Sequence, residues 1–141
     1  MSPKYKPNLL SCVCYSSQDD IYIDEFTNKP AEGTYLSHFD NDKIEEEKGF
    51  KNGRAHGSHK KWWPDGKLRD ESHSKEGLLD GKSIGWHFNG QISSKSYWKA
   101  GANHGSYETW WENGNPRCKQ HWHNGELLKE TYFREEGTQI L

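Results

Sequence analysis

Gly53-Arg-Ala-His-Gly57-Ser-His-Lys-Lys-Trp62-Trp63-Pro-Asp-Gly66-Lys-Leu68 is the stretch that decides the fold, because its landmarks return along the chain. Gly53, Gly77, Gly101 and Gly125 stand 24 residues apart, and Gly57, Gly81 and Gly105 keep the same step. So do Gly66, Gly90 and Gly114, and so do Trp62, Trp86 and Trp110. Four columns sharing one period mark an internal repeat. The complete units run over 50–73, 74–97 and 98–121. A partial unit precedes them, with Gly33 in the place of Gly57 and Ile44 in that of Leu68. A fourth starts at Trp122 and loses step after Leu128; Tyr132, Phe133 and Gly137 return one residue early, which puts a deletion near Lys129.

The punctuation inside each unit specifies strands. Asp65-Gly66, Asn89-Gly90 and Asn113-Gly114 separate two short segments, and such pairs favour the positive φ angles of a type I′ hairpin turn. Strands are expected over 58–63 and 67–73, with a second Gly-bounded turn, Asn52-Gly53 to Gly57, joining one hairpin to the next. Turns this frequent leave no room for a helix. A single unit buries too little to fold alone, so successive units must pair and stack. The expected fold is all-β, an elongated single-layer antiparallel meander of consecutive β-hairpins. Its repeat domain spans 33–141, and residues 1–32 form a non-repeat segment. In that segment Ile21-Tyr22-Ile23 reads as a short strand capping the first unit, and 16–20 reads as a loop.

Like residues stack upon like. Trp62, Trp86 and Trp110 form one expected core ladder, Ile44, Leu68 and Ile92 a second that Pro116 interrupts, and Phe50, Trp98 and Trp122 a third with Ser74 as its gap. Composition agrees with a core made of rings. Only 30% of residues are hydrophobic, yet 13% are aromatic, with seven Trp and seven Tyr. Disordered chains are poor in rings and carry a large net charge. Here 19 basic residues face 21 acidic ones, interleaved, for a formal charge of −2. That balance supplies no basic stripe for nucleic acid and argues against an anionic membrane as partner.

The pattern Gly-x-x-x-Gly, an aromatic pair, Asn/Asp-Gly, a Lys-Leu or Gln-Ile step and a further aromatic resembles the MORN-repeat variant. The stretch Gly53 to Leu68 is similar more closely to bacterial YwqK-type antitoxins, and the resemblance covers about 33–137. It implies a single-layer sheet of hairpins and, for the YwqK-type group, neutralisation of a partner toxin by direct binding. MORN repeats elsewhere serve as scaffolds or bind membranes and phosphoinositides. Residues 1–32 have no counterpart in the pattern, and Ser74, Ser83 and Pro116 replace expected aromatic or aliphatic residues.

Chemical motifs are weaker than the repeat. Gly81-Lys82-Ser83-Ile84-Gly85 matches Gly-x-Ser-x-Gly, a nucleophile motif that works at a strained strand-to-helix turn; here Gly81 belongs to the repeat and Gly85 is incidental. Eight histidines raise the question of a metal, and His121 and His123 share a face by alternation. A zinc site requires three or four convergent ligands, and His56, Asp80 and His104 share a repeat column as ordinary surface residues would. No Walker loop, dinucleotide fingerprint or His-Glu-x-x-His is present. Three cysteines, an odd number, do not make a disulfide framework. Leu9-Leu10-Ser11-Cys12 looks like a lipoprotein cleavage box, but Lys4, Lys6 and Asn8 stand where its apolar segment belongs, so the cytoplasm is expected.

The expectation is a non-catalytic protein-binding module without cofactor or metal, most simply an antitoxin or immunity protein whose partner is a toxin or effector. The alternatives are a structural scaffold that self-assembles through its sheet edges and a membrane-associated protein. A single layer exposes two faces, so rings outnumber what a core can hide. Alternation sets Trp63, His87 and Trp111 opposite the Trp62 ladder, and His73, Tyr97 and His121 opposite the Phe50 ladder. These six are the expected protein-binding residues, because amphipathic rings dominate interface hot spots.

Overall fold

The structure is a computed structural model that describes residues 13–141. Cys12, weighed above as a lipid-anchor site, and the basic residues Lys4 and Lys6 lie outside the described residues. Strands and turns account for the described chain, without a helix. Strands β1 (Val13–Ser16), β2 (Ile21–Asp24) and β3 (Lys29–Pro30) make a small antiparallel sheet. The large sheet begins with β4 (Gly33–His38), β5 (Ile44–Lys51), β6 (Arg54–Trp62) and β7 (Leu68–Lys75). It continues through β8 (Leu78–Leu79), β9 (Gly81–Trp86), β10 (Ile92–Lys99), β11 (Ala102–Trp110), β12 (Pro116–His123), β13 (Glu126–Phe133) and β14 (Gln139–Ile140). Neighbours in sequence are neighbours in the sheet, and every pairing is antiparallel. Strands β8 and β9 are two halves of one strand, interrupted at Asp80, and both pair with β7. The meander of hairpins is therefore present.

The type I′ geometry expected at Asp65-Gly66 is found at the other row of turns. The type I′ geometry sits at Asn52-Gly53, where φ is 50° and 74°, and it recurs at 76–77, 100–101 and 124–125. At Asp65-Gly66 only the glycine has positive φ, 92°, and the Gly66 N–H donates to the Trp63 carbonyl (2.9 Å) while the Trp63 N–H donates to the Lys67 carbonyl (2.7 Å). That is a type I turn closed by a left-handed glycine. The reason is local. The Asp65 carboxylate accepts the Lys67 N–H (3.0 Å) as an Asx turn does, and Pro64, the first central residue of the observed turn, has the φ near −65° that type I requires. Asn89 and Asn113 repeat that bond to Gln91 and Asn115. Gly57 lies inside β6 and is no turn residue: at φ 85° it makes a bulge where β5 and β6 shift register between Lys48 and Phe50.

Both turn rows lock unit to unit. The Gly53, Gly77, Gly101 and Gly125 N–H groups donate to the carbonyls of Ala31, Ala55, Leu79 and Asn103, each at 2.7–2.9 Å. On the other edge, side-chain amides of Asn41, Asn89 and Asn113 donate to the carbonyls of Pro64, Glu112 and Glu135 in the following loop. The last unit pairs His121 with Lys129 and Trp122 with Leu127, so its bulge holds Leu128 alone. The one-residue deletion thus falls at the bulge that glycine fills in other units.

The expected core is corrected in one respect. Of the nine ladder residues only Phe50 is buried, at 5% exposure, while Ile44 and Ile92 are 37% and 40% exposed. A single layer has nothing above it, so rings are covered only by neighbours in the same sheet. Trp62, Trp86 and Trp110 pair across strands with Leu68, Ile92 and Pro116 and remain half-buried. The compact cluster lies elsewhere, at Ala31, Tyr35 and Phe50 with Val13 and Tyr22 packed against it. Tyr22 and Tyr35 approach the Phe50 ring at 5.2 and 5.6 Å between centroids. The sequence supplied one capping strand, Ile21-Tyr22-Ile23, and the structure supplies a three-stranded sheet around it.

Candidate functional site

Strand register assigns the faces. Ser58 pairs with His73, Lys82 with Tyr97, and Ser106 with His121, so His73, Tyr97 and His121 lie in one row on one face. Phe50, Trp98 and Trp122 point to the other face, where the Trp98 indole donates to Ser96 (2.9 Å) and the Trp122 indole to Gln120 (3.0 Å). His73 and His121 are exposed and Tyr97 is half-buried, with the Lys95 ammonium 5.8 Å from its ring centre.

Trp63, His87 and Trp111 sit at the loop end of the strands instead. Trp63 is five residues from Ser58, the partner of His73, roughly 17 Å along the strand at ~3.4 Å per residue. The six expected binding residues therefore form two separate strips. The loop-end strip also links the units. His87 Nε2 meets the Trp110 carbonyl at 2.8 Å, the Trp111 indole donates to the Phe133 carbonyl at 3.3 Å, and Trp63 packs edge-on against Phe88 at 5.6 Å. The buried Trp63 Nε1 has no partner.

Two cations missed in the sequence complete this strip. The Arg69 guanidinium lies 5.4 Å from the Trp63 ring centre and that of Arg117 lies 4.6 Å from Trp111. A signal for them was present: units with Trp63 and Trp111 carry Arg69 and Arg117 in one repeat column, and the unit with His87 carries Ser93 there. Ring and cation are replaced together.

The acidic and histidine column has a structural use. Glu32 Oε1 accepts the Asn52 N–H (2.7 Å), Asp80 Oδ2 the Ala100 N–H (3.1 Å) and His104 Nδ1 the Asn124 N–H (3.3 Å). Each holds the first residue of a type I′ turn in place. His56 occupies the same column, with a buried Nδ1 that finds no partner. Among the described residues no three His, Cys, Asp or Glu side chains converge as a metal site would require; His123 packs its ring against His104 at 5.0 Å. Ser83 of the Gly-x-Ser-x-Gly match lies mid-strand in β9, paired with Ser96. The strained turn that the motif requires is not built there. Burial raises the Cys118 thiol above its ordinary range, and Cys118 is 7% exposed.

No helix among the described residues is long and apolar enough to cross a membrane. Comparison with known proteins finds no match among curated proteins or solved structures. Comparison with protein families finds the MORN repeat variant at residues 55–76, 79–100 and 103–124. Each match begins in the first strand of a hairpin and ends on the first residue of the type I′ turn. The three matched stretches follow one another and fall on the central hairpins of the sheet.

Proposed function

We propose that this protein is a non-catalytic binding module that engages another protein through the His73–Tyr97–His121 row and the loop-end strip of Trp63, His87 and Trp111. MORN repeats commonly mediate binding, which fits a repeat module. The observation that carries the reading is the pairing of half-buried rings with surface cations, Arg69 on Trp63, Lys95 on Tyr97 and Arg117 on Trp111. Arg, Trp and Tyr are the residue types that concentrate binding energy at protein interfaces. A neutralising antitoxin or immunity protein of the cytoplasm is the finer form of this reading, and it rests on the resemblance to YwqK-type proteins.

The test is affinity capture with the full chain, identification of bound protein by mass spectrometry, and titration of variants. Tyr97→Ala and Arg117→Ala are expected to weaken the captured complex by ~10-fold or more, about 1.4 kcal/mol, with thermal midpoints near wild type. Undiminished binding by both variants would sink the assignment. Trp111→Ala is a poorer probe, because it also removes the hydrogen bond to Phe133.

A second reading, self-assembly, is favoured by the outer edge of β13. Strand β14 pairs only with Tyr132 and Phe133, so 126–131, held by β12 on one side, have no strand partner on the outer side among the described residues. Unpaired edges template further pairing. Sedimentation that shows mass rising with concentration, abolished by Leu128→Lys, supports it; a concentration-independent monomer removes it.

A further inference from the structure

The middle unit leaves a hole in the Phe50 face. Lys61, Gly85 and Thr109 share one repeat column, and Asp70, Ser94 and Cys118 another. His59, Ser83 and Tyr107 share a third, and Ser72, Ser96 and Gln120 a fourth. The middle unit presents one glycine and three serines here, against Lys61, Asp70 and His59 in the unit before and Thr109, Tyr107 and Gln120 in the unit after; Ser72 and Cys118 alone are no longer than serine. Register gathers them into one block, with Gly85 opposite Ser94 and Ser83 opposite Ser96. The outcome is a cleft of about 370 Å³, floored by these residues and walled by His59 and Lys61 on one side and by Leu79 and Trp98 on another. Leu79 pairs with Ser74, the gap in the Phe50 ladder, so an aliphatic wall replaces the missing ring. The floor is closely fitted: a Cβ at Gly85 would stand 2.7 Å from Ser94 Oγ.

We propose that this cleft accepts one tyrosine side chain of a protein partner, an inference that rests on the binding reading above. Its volume lies at the low end of ligand pockets, enough for one large side chain. The charges at its rim are already matched. Glu46 is hydrogen-bonded to His59 and lies 3.9 Å from Lys61, and Asp70 accepts from Arg69 at 2.8 Å. Glu71 also lines the cleft, but it alternates with Asp70 along β7 and so directs its carboxylate to the opposite face, and a charged guest finds Glu46, His59, Lys61 and Asp70 already engaged. A neutral ring finds the Trp98 and Leu79 walls, and its hydroxyl finds serine hydroxyls that can both donate and accept. Ser96 is placed for this: it is 7% exposed, its oxygen accepts the Trp98 indole N–H, and among the described residues its own proton goes to no acceptor.

The test is an amide NMR titration of the full chain with N-acetyl-L-tyrosinamide, and in parallel with the phenylalanine and arginine analogues. Expected are shifts at Gly85, Ser94, Ser96 and the Trp98 indole, with the tyrosine amide several-fold tighter than the phenylalanine amide and no comparable effect of the arginine amide. Ser83→Tyr copies the residue that Tyr107 places in the next unit, and it should weaken the tyrosine amide by ~10-fold or more. Ser96→Gln, which copies Gln120, is the second blocking variant should the first fail to fold. Absence of shifts at the cleft, tighter binding of the arginine amide, or unchanged titration in a folded blocking variant overturns the proposal. The probe is a free amide, so the titration is read without a partner. A failed protein capture beside a positive titration counts against the binding module and leaves the cleft; the reverse result counts against the cleft alone.

Discussion

Phe50 and Trp122 occupy the same repeat column, three units apart, yet one is sealed and the other open. Phe50 is 5% exposed under Tyr22 and Tyr35, and the capping sheet is tied down by hydrogen bonds from Tyr22 N–H to the Gly53 carbonyl and from Ala31 N–H to the Tyr22 carbonyl. Trp122 pairs with Leu127, which is 38% exposed, and Leu128 and Tyr132 beyond it are 56% and 43% exposed. Burial in a single-layer sheet is thus decided by what lies over a column and not by the residue in it. Stability should be concentrated at the capped end.

The largest test of that contrast is truncation of the two rings. Phe50→Ala should cost ~3–5 kcal/mol, as for a fully buried ring, and Trp122→Ala roughly half of that, because its ring is only half withdrawn from water. Urea unfolding measures both, and equal losses would refute the contrast. Glycine substitutions sharpen it. Gly53→Ala places a Cβ 2.7 Å from Ile21 Cβ and 2.8 Å from the Tyr22 carbonyl oxygen, whereas Gly125→Ala meets nothing closer than Ala102 Cβ at 3.6 Å. Both pay the left-handed cost of about 1–2 kcal/mol, and only Gly53→Ala should also detach the cap, read as lost amide protection at Tyr22 and Ala31.

Acid acts on the same contrast. The Thr27 N–H and the Tyr35 hydroxyl hold the Asp24 carboxyl below the usual carboxylate range, and the His59 ring does so for Glu46. A carboxyl whose folded value is lowered contributes stability above its unfolded value, and that contribution is lost as pH falls through the folded value. Amide protection at Tyr22 and Gly53 should therefore fall relative to Gly101 and Gly125 as pH drops below about 4. The double variant Asp24→Ala, Glu46→Gln should flatten this difference. Glu136 is also lowered, first by its own backbone N–H and then by the Thr138 hydroxyl, but it secures only the last loop. The smallest effect is expected at Asp65. Its column mates Asn41, Asn89 and Asn113 each donate to the following loop, and a carboxylate cannot. Asp65→Asn should add that bond and raise stability by about 0.5–1 kcal/mol, less whatever the exposed Lys67 contact at 3.6 Å supplies.

The repeat, the strands and the deletion near Lys129 were legible because each recurs at one spacing. Turn type was not, since Asn-Gly suits both geometries and the Asx bond shared by Asp65, Asn89 and Asn113 decides between them, with Pro64 adding to it in one unit. Ile44 and Ile92 were expected inside because a residue's column says which face it joins and nothing about what covers that face. The capping sheet has no second copy in the chain, so periodicity could not show more of it than Ile21-Tyr22-Ile23. The central cleft was hidden for another reason. Ser83, Ser94 and Gly85 look like unremarkable losses in three separate columns, and only strand register makes them adjacent.

The placement of the cap has a consequence for how the molecule comes into being. Ribosomes deliver the Tyr22–Phe50 cluster first, and it leaves β5 as a finished edge while later hairpins are still unmade. Every later strand of the large sheet pairs only with neighbours in sequence, so the topology permits vectorial assembly without contact between distant parts of the chain.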